Sequence, residues 1–366
     1  MSERHEEQLR ELRAAHAEAL HAHTARSEAM LDSMIEGLVV IDARSRIVLA
    51  NRAAQGLFGF SRMMVGGMLL EAIRHHEIAA LAARAGTEGA VIEHEVRLDG
   101  AMPRVLQISA VALRDATGGA AGAVLVFHDV TRLRELEGVR QDFVANVSHE
   151  LRTPLSLIKS TAETLLDGAK DDPAVATRFL EIIDKHANRL TLLIDDLLLL
   201  ARLDSGRIEM KFRTLPLQEA AQDALDDYGI VARARGVTLT NAVPKELAAR
   251  ADPERLRQVL SNLIDNAIKY GRAEGRVTVA GRALAEDRVE LSVRDDGPGI
   301  PMEAKERVFE RFYRVDKARS REQGGTGLGL AIVKNVMEAH GGAVRVESAP
   351  GEGTTFYLTL PAVKPD

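Results

Sequence analysis

The chain has 366 residues, length for two or three domains, and 46% of them are hydrophobic, which supports real cores. A formal charge of −6 speaks against nucleic acid as the main partner, and the absence of cysteine excludes disulfides, thiolate metal sites and a cysteine nucleophile. No stretch reaches the ~20 apolar residues of a membrane span, and the N-terminus is too charged for a signal peptide, so a soluble, cytoplasmic protein is expected.

Residues 1–30 are rich in Ala, Glu, Arg and His and lack Gly and Pro, a strongly helical composition. The best heptad register (Leu9, Leu12, His16, Ala19, His23, Arg26, Met30) is a poor seam. This piece is expected to be a signalling helix stabilised by the segment C-terminal to it, with His5, His16, His21 and His23 in water rather than on a metal. From Met34 the pattern changes. Residues 37–42 and 47–50 read as short strands around a turn, and Asn51 opens a helical stretch to Phe58. Three more strand-like runs come at 91–98, 105–113 and 122–130, with turns at Asp99–Gly100 and 117–119. Two strands, short helices and three strands resemble a PAS domain, here 31–132, and the run Asp129, Val130, Thr131 resembles its usual exit into a helix. Without cysteine it is no flavin-adduct photosensor. His75, His76, His94 and His128 are expected to be structural rather than haem ligands.

Residues 133–166 read as one long helix, 167–173 as a loop and 174–203 as the return helix. Val147, Leu151, Leu155 and Ile158 recur at three- and four-residue spacing and line one stripe of the first helix. His149 lies two residues from the stripe on either side, and at about 100° per residue its imidazole turns toward water. Glu150 is next in the chain, Thr153 lies one turn on, and Pro154 should bend the helix. An exposed His beside a carboxylate is a candidate nucleophile with its own base. The second helix carries a heptad seam of Phe179, Ile183, His186, Leu190, Leu193, Leu197 and Leu200. Two helices alone cannot cover both stripes, whereas a symmetric pair making a four-helix bundle can, so a homodimer through 135–205 is expected. The other reading is a hairpin packed on a neighbouring domain of the same chain.

In residues 256–270, Leu256, Val259, Leu260, Leu263, Ile264 and Ala267 share an inward helix face, leaving Asn262, Asn266, Lys269 and Tyr270 largely on the outside. Amide oxygens are hard, neutral ligands that suit Mg2+ keeping part of its water shell. A strand at 289–293 ends in Asp295 and Asp296, followed by Gly297, Pro298, Gly299 and Ile300. A carboxylate there, with glycines allowing close approach, suits recognition of an exocyclic amine. Phe309, Phe312 and Tyr313 precede a polar run at 315–323. A glycine cluster, Gly324, Gly325, Gly327 and Gly329, then opens a helix to about His340, where free amides can cradle phosphates. The spacing is neither that of a Walker A loop nor that of a dinucleotide fingerprint. Residues 351–357, Thr354 among them, read as a turn into a closing strand.

Ser148, His149, Glu150, Leu151, Arg152, Thr153 and Pro154 in succession resemble the phosphoacceptor box of sensor histidine kinases. The segments after it, in order, resemble the N, G1, F and G2 boxes of the Bergerat ATP-binding fold, so the chain resembles the PhoR-like, PAS-containing kinases of two-component systems. The resemblance implies a multi-domain α+β protein: a PAS domain, a helical hairpin at 133–208 pairing into a four-helix bundle, and an α/β-sandwich catalytic domain at 209–366 with a lid at 315–327. It implies ATP-dependent phosphorylation of His149, Glu150 as base, phosphoryl transfer to an aspartate of a response regulator, and Thr153 orienting water in the reverse, phosphatase, reaction. It also assigns Mg2+ to Asn266 supported by Asn262, phosphate to Lys269, and the adenine amine to Asp295. The remaining nucleotide contacts implied are Tyr270, Gly297, Gly299, Ile300, Phe312, Tyr313, Gly325, Thr326, Gly327, Leu328, Gly329, Leu330 and Thr354. Asp296 stands where the family commonly has Asn. Many members are membrane-anchored, so this chain can be the soluble part of an anchored parent. Two other classes stay open: an ATPase clamp of the chaperone and mismatch-repair kind, separable by phosphate release without histidine labelling, and a scaffold with a dead site, separable by failure to bind nucleotide.

Overall fold

The computed structural model describes residues 26, 29–60, 62–100, 102–285, 287–316 and 325–363. The expected signalling helix and most of the expected lid lie outside these residues. The chain divides into two compact units, Met1–Asp142 and Phe143–Asp366. Among the described residues, no helix is long and apolar enough to cross a membrane.

In the first unit, β1 (Gly37–Asp42) and β2 (Ile47–Ala50) precede α1 (Arg52–Phe58), α2 (Leu69–Ile73) and α3 (His76–Glu88). Then come β3 (Ala90–Leu98), β4 (Arg104–Arg114) and β5 (Ala120–Asp129). The sheet order is β2-β1-β5-β4-β3, antiparallel throughout. Alternation decides which face is buried: Val39, Ile41, Leu106, Ile108, Leu125 and Phe127 point into the core, where Phe127 meets Phe58 edge-on at 4.9 Å. Asn51, 2% exposed, joins strand to helix. Its Oδ1 accepts from the amides of Leu38 (2.8 Å) and Ala54 (3.0 Å), and its Nδ2 donates to the carbonyls of Leu31 (3.0 Å) and Glu36 (2.9 Å). His94 pairs with Glu77 at 3.0 Å and His128 lies 4.0 Å from Glu36, both partly exposed.

The helix α4 (Thr131–Leu166) begins directly after β5. Asp129 accepts from the Thr131 amide, and the Thr131 hydroxyl accepts from the Val105 amide at 2.9 Å. Arg134 pairs with Glu95 and Glu137. The helix continues through Pro154, which is buried.

In the second unit, the remainder of α4 faces α5 (Pro173–Asp204), whose first turn is capped by Asp172 accepting from the amides of Ala174 (2.9 Å) and Val175 (3.3 Å). Along the expected seam, Leu193 and Leu200 are buried and Phe179, Ile183, His186, Leu190 and Leu197 are half-buried. A second set of apolar side chains on the hairpin, Leu155, Leu180, Leu192, Ile194 and Leu198, is exposed. Leu155 therefore departs from its expected burial.

Beyond the hairpin come β6 (Arg213–Pro216), α6 (Leu217–Asp227), α7 (Gly229–Ala234), β7 (Thr238–Ala242), β8 (Ala248–Ala251), α8 (Pro253–Tyr270), β9 (Arg276–Leu284) and β10 (Arg288–Asp295). The chain closes with α9 (Gly329–Ala339), β11 (Ala343–Ala349) and β12 (Gly353–Pro361). The main sheet runs β11-β12-β10-β9-β7; only the β7–β9 pair is parallel. α8 starts at Pro253, earlier than the apolar period suggests, because Asp252 caps it, accepting from Glu254 (3.0 Å), Arg255 (3.2 Å) and Lys211 (2.8 Å) amides. His340 is buried between two helix ends. Its Nε2 accepts from the Asp252 amide at 3.0 Å, and its Nδ1 donates to the Val336 carbonyl at 2.8 Å.

Candidate functional site

The expected inward face of α8 is buried: Leu256, Val259, Leu260, Leu263 and Ile264 are at most 1% exposed. That packing turns Asn262, Asn266, Lys269 and Tyr270 toward a cavity of about 460 Å³. β10 delivers Asp295 to its wall, and Gly299 and Ile300 extend that wall; opposite stand Tyr313, Gly325, Thr326, Gly327, Gly329 and Leu330, with Thr354 from β12. Three residues expected to touch nucleotide do not line this cavity. The Gly297 amide instead donates to Asp295 Oδ1 at 2.8 Å, fixing the carboxylate. Leu328 is wholly buried in the core. Phe312 packs its ring 5.9 Å from Phe143 of α4.

Two glycines are required by geometry. At Gly327, φ is 73° and a Cβ would sit 2.9 Å from the Phe312 backbone; at Gly353, φ is 88° and a Cβ would sit 2.1 Å from the Asp295 carbonyl. Phe312 itself adopts a left-handed φ of 63°, and its amide donates to the Gly327 carbonyl at 2.8 Å. Such a backbone costs a non-glycine residue about 1–2 kcal/mol and persists because neighbours hold it.

Burial raises the Asp295 carboxyl above its usual range, against the opposing amides of Gly297 and Thr354. Asp296 lies outside the cavity lining and accepts from the Arg276 amide at 3.0 Å, a bond the family's Asn could also accept through its side-chain oxygen. Lys269 is held by Asp265 at 2.5 Å. Asn262 Nδ2 is buried without a hydrogen-bond partner among the described residues. An orphaned amide group beside a second amide, Asn266, fits the neutral donor set expected for Mg2+, since half a turn about its last bond presents the amide oxygen instead.

His149 is exposed on α4, and the Thr153 hydroxyl donates to the His149 carbonyl at 3.2 Å. Glu150 corrects the simple expectation of a base free beside the imidazole. Its side chain is 16% exposed and bound by Arg314 at 3.0 Å and Arg189 at 3.4 Å. The return helix also reaches the cavity, which sequence reasoning missed. Leu192 and Asp196 line it, and Asp196 accepts from the Thr326 hydroxyl at 3.1 Å. Burial pushes Asp196 up to about 6, the Thr326 bond opposing and Asp195 adding to the rise. Tyr228 is another unforeseen wall residue, pushed up to about 12 by burial and then by the charge of Asp265. The only sequence signal for Asp196 was an acid inside a run of leucines; Arg314 closes the aromatic run that resembles the F box but was given no role there, and Tyr228 had no signal.

Three known families match this arrangement in order. They are the PAS fold over residues 31–135, the His Kinase A (phospho-acceptor) domain over 139–206, and the histidine kinase-, DNA gyrase B-, and HSP90-like ATPase over 251–364. A PAS unit, a phosphoacceptor hairpin and this ATPase type together define a sensor histidine kinase, and the chain belongs to that family. Among its relatives is the sensor protein kinase WalK of Staphylococcus aureus, 33% identical over 347 residues that cover 93% of this chain and 82% of that protein. WalK of Staphylococcus epidermidis is 34% identical over 349 residues, covering 93% of this chain and 56% of that protein. The chain thus spans about half the length of several curated relatives it matches. The solved structure of histidine kinase ThkA in complex with response regulator protein TrrA shares the fold, with a TM-score of 0.51 at 24% identity over 92% of this chain and 98% of that one.

Proposed function

We infer that this chain is an ATP-dependent protein-histidine kinase that phosphorylates its own His149 and passes the phosphoryl group to an aspartate of a response-regulator receiver domain. The observation that carries the reading is one compact unit holding both an exposed His149 and the cavity walled by Asn262, Asn266, Asp295 and the glycine-led start of α9. ThkA, which shares the fold, has been solved with its response regulator, in keeping with the partner proposed here. In this reading 31–132 sense, 133–208 dimerise and accept phosphate, and 209–366 bind ATP. The setting is cytoplasmic.

Asp295 accepts from the adenine amine, a contact guanine could not make because its carbonyl would face the buried acceptor. Glycine-loop amides and Lys269 hold the phosphates. Asn266 and Asn262 would hold Mg2+, which when bound offsets phosphate charge. Neutral imidazole Nε2 attacks the terminal phosphorus, ADP leaves, and the Nδ1 proton passes to Glu150. The resulting phosphoramidate is energetic enough to phosphorylate a carboxylate. Thr153 orients water for phosphatase activity toward the regulator. The exposed Leu155, Leu180, Leu192, Ile194 and Leu198 support a homodimer through 135–205, to be checked by sedimentation at micromolar concentration. Labelled ATP should leave an acid-labile phosphate on the wild type and none on His149→Ala; equal labelling of both would end the reading.

A further inference from the structure

Arg314 joins the two halves of the reaction. It lines the cavity, yet its guanidinium meets Glu150, the sequence neighbour of His149, through Nη1 (3.4 Å) and Nη2 (3.0 Å). Nη2 also donates to the Gly325 carbonyl at 2.6 Å, at the start of the glycine loop. Its side chain is 7% exposed, and its Nε is buried with no hydrogen-bond partner among the described residues. A guanidinium with an unused buried donor on the wall of an anion-binding cavity is short of one acceptor.

The group to be transferred must be the part of the nucleotide that comes nearest His149. Arg314 is the cavity residue bonded beside that histidine. A terminal phosphate carries more charge than a carboxylate and offers three acceptor oxygens to a planar fork of donors, so it outcompetes Glu150 for the same guanidinium. We propose that Arg314 is a positioning residue that exchanges partners, holding Glu150 away from catalysis until a nucleoside triphosphate takes the guanidinium over and frees the carboxylate for the His149 proton. The proposal deepens the kinase reading and rests on it. A diphosphate lacks the outermost group and leaves Glu150 held, so the base is released only when there is a phosphoryl group to transfer. Arg189, which also donates to Glu150 and to the Gly325 carbonyl at 3.4 Å each, keeps the carboxylate near the stalk during the exchange.

The test is equilibrium binding of ADP and of a non-hydrolysable ATP analogue to the full chain with Mg2+, read as the ratio of the two affinities. Glu150→Gln removes the competing charge and should raise the preference for triphosphate about tenfold, the weight of roughly one charge-assisted hydrogen bond. Arg314→Gln should lower the preference about tenfold while ADP still binds, which also reports that the domain is folded. In the Arg314→Gln background, adding Glu150→Gln should change nothing. An unchanged ratio in Glu150→Gln, or the same rise with Arg314 already removed, would overturn the exchange and leave the kinase reading standing. A wild type that binds neither nucleotide would overturn both.

Discussion

The two five-stranded sheets of this molecule treat their polar groups in opposite ways. At the sheet of the first unit, the buried Asn51 spends both its oxygen and its nitrogen on four backbone partners. At the sheet of the second, Asn262 and Arg314 keep buried donors without partners among the described residues, and both line one cavity. An asparagine that closes its inventory is holding a fold together, whereas one that leaves it open is in place for something that arrives later. The same residue type thus reads as structure in one region and as site in the other.

The sharpest way to break that contrast is to truncate both asparagines. Asn51→Ala should destabilise the first unit by about 2–4 kcal/mol, because two amides and two carbonyls lose their partner. Denaturant unfolding of the full chain would show its first transition moving to lower concentration. A smaller effect of opposite sign is expected at Asp196, whose carboxyl is raised to about 6 from an ordinary 3.8. A raised acid favours the fold while protonated, and that contribution is lost as pH rises from about 4 through 6. Asp196→Asn should therefore stabilise by about 1 kcal/mol at pH 7.5, after allowance for solvent screening, with the gain shrinking by pH 4.5 and gone below pH 4. Thermal melts at the three pH values check the sign. Asn262→Ala should move the melting curve least, within about 0.5 kcal/mol, because it removes a group that was already unpaired. Titration with Mg2+ and a triphosphate should nonetheless show weaker binding.

Legibility in the sequence tracks the range of the interaction involved. Strands β1 and β2 and the two long helices came from local period and turn chemistry, and their ends fall within a residue or two of expectation. The start of α8 was missed because its first turn is set by the Asp252 cap, not by apolar spacing. The cavity wall was legible where a segment carries its own motif, as at Asn266, Asp295 and Gly327. It was illegible at Asp196 and Tyr228, whose place depends on segments far apart in the chain meeting. Phe312 was misplaced because an aromatic beside a binding residue looks the same in sequence whether it faces ligand or, as here, Phe143.

The left-handed backbone at Phe312 has a practical consequence. That residue is braced on one side by a ring from the stalk and bonded on the other to the glycine loop, and Leu192 and Asp196 supply part of the enclosure from the return helix. A fragment cut to begin at residue 209 would lose Leu193, Leu199 and Leu200 from its core and surrender the brace and one side of the enclosure. Affinities measured on such a piece would describe a looser vessel than the one the intact chain offers its nucleotide.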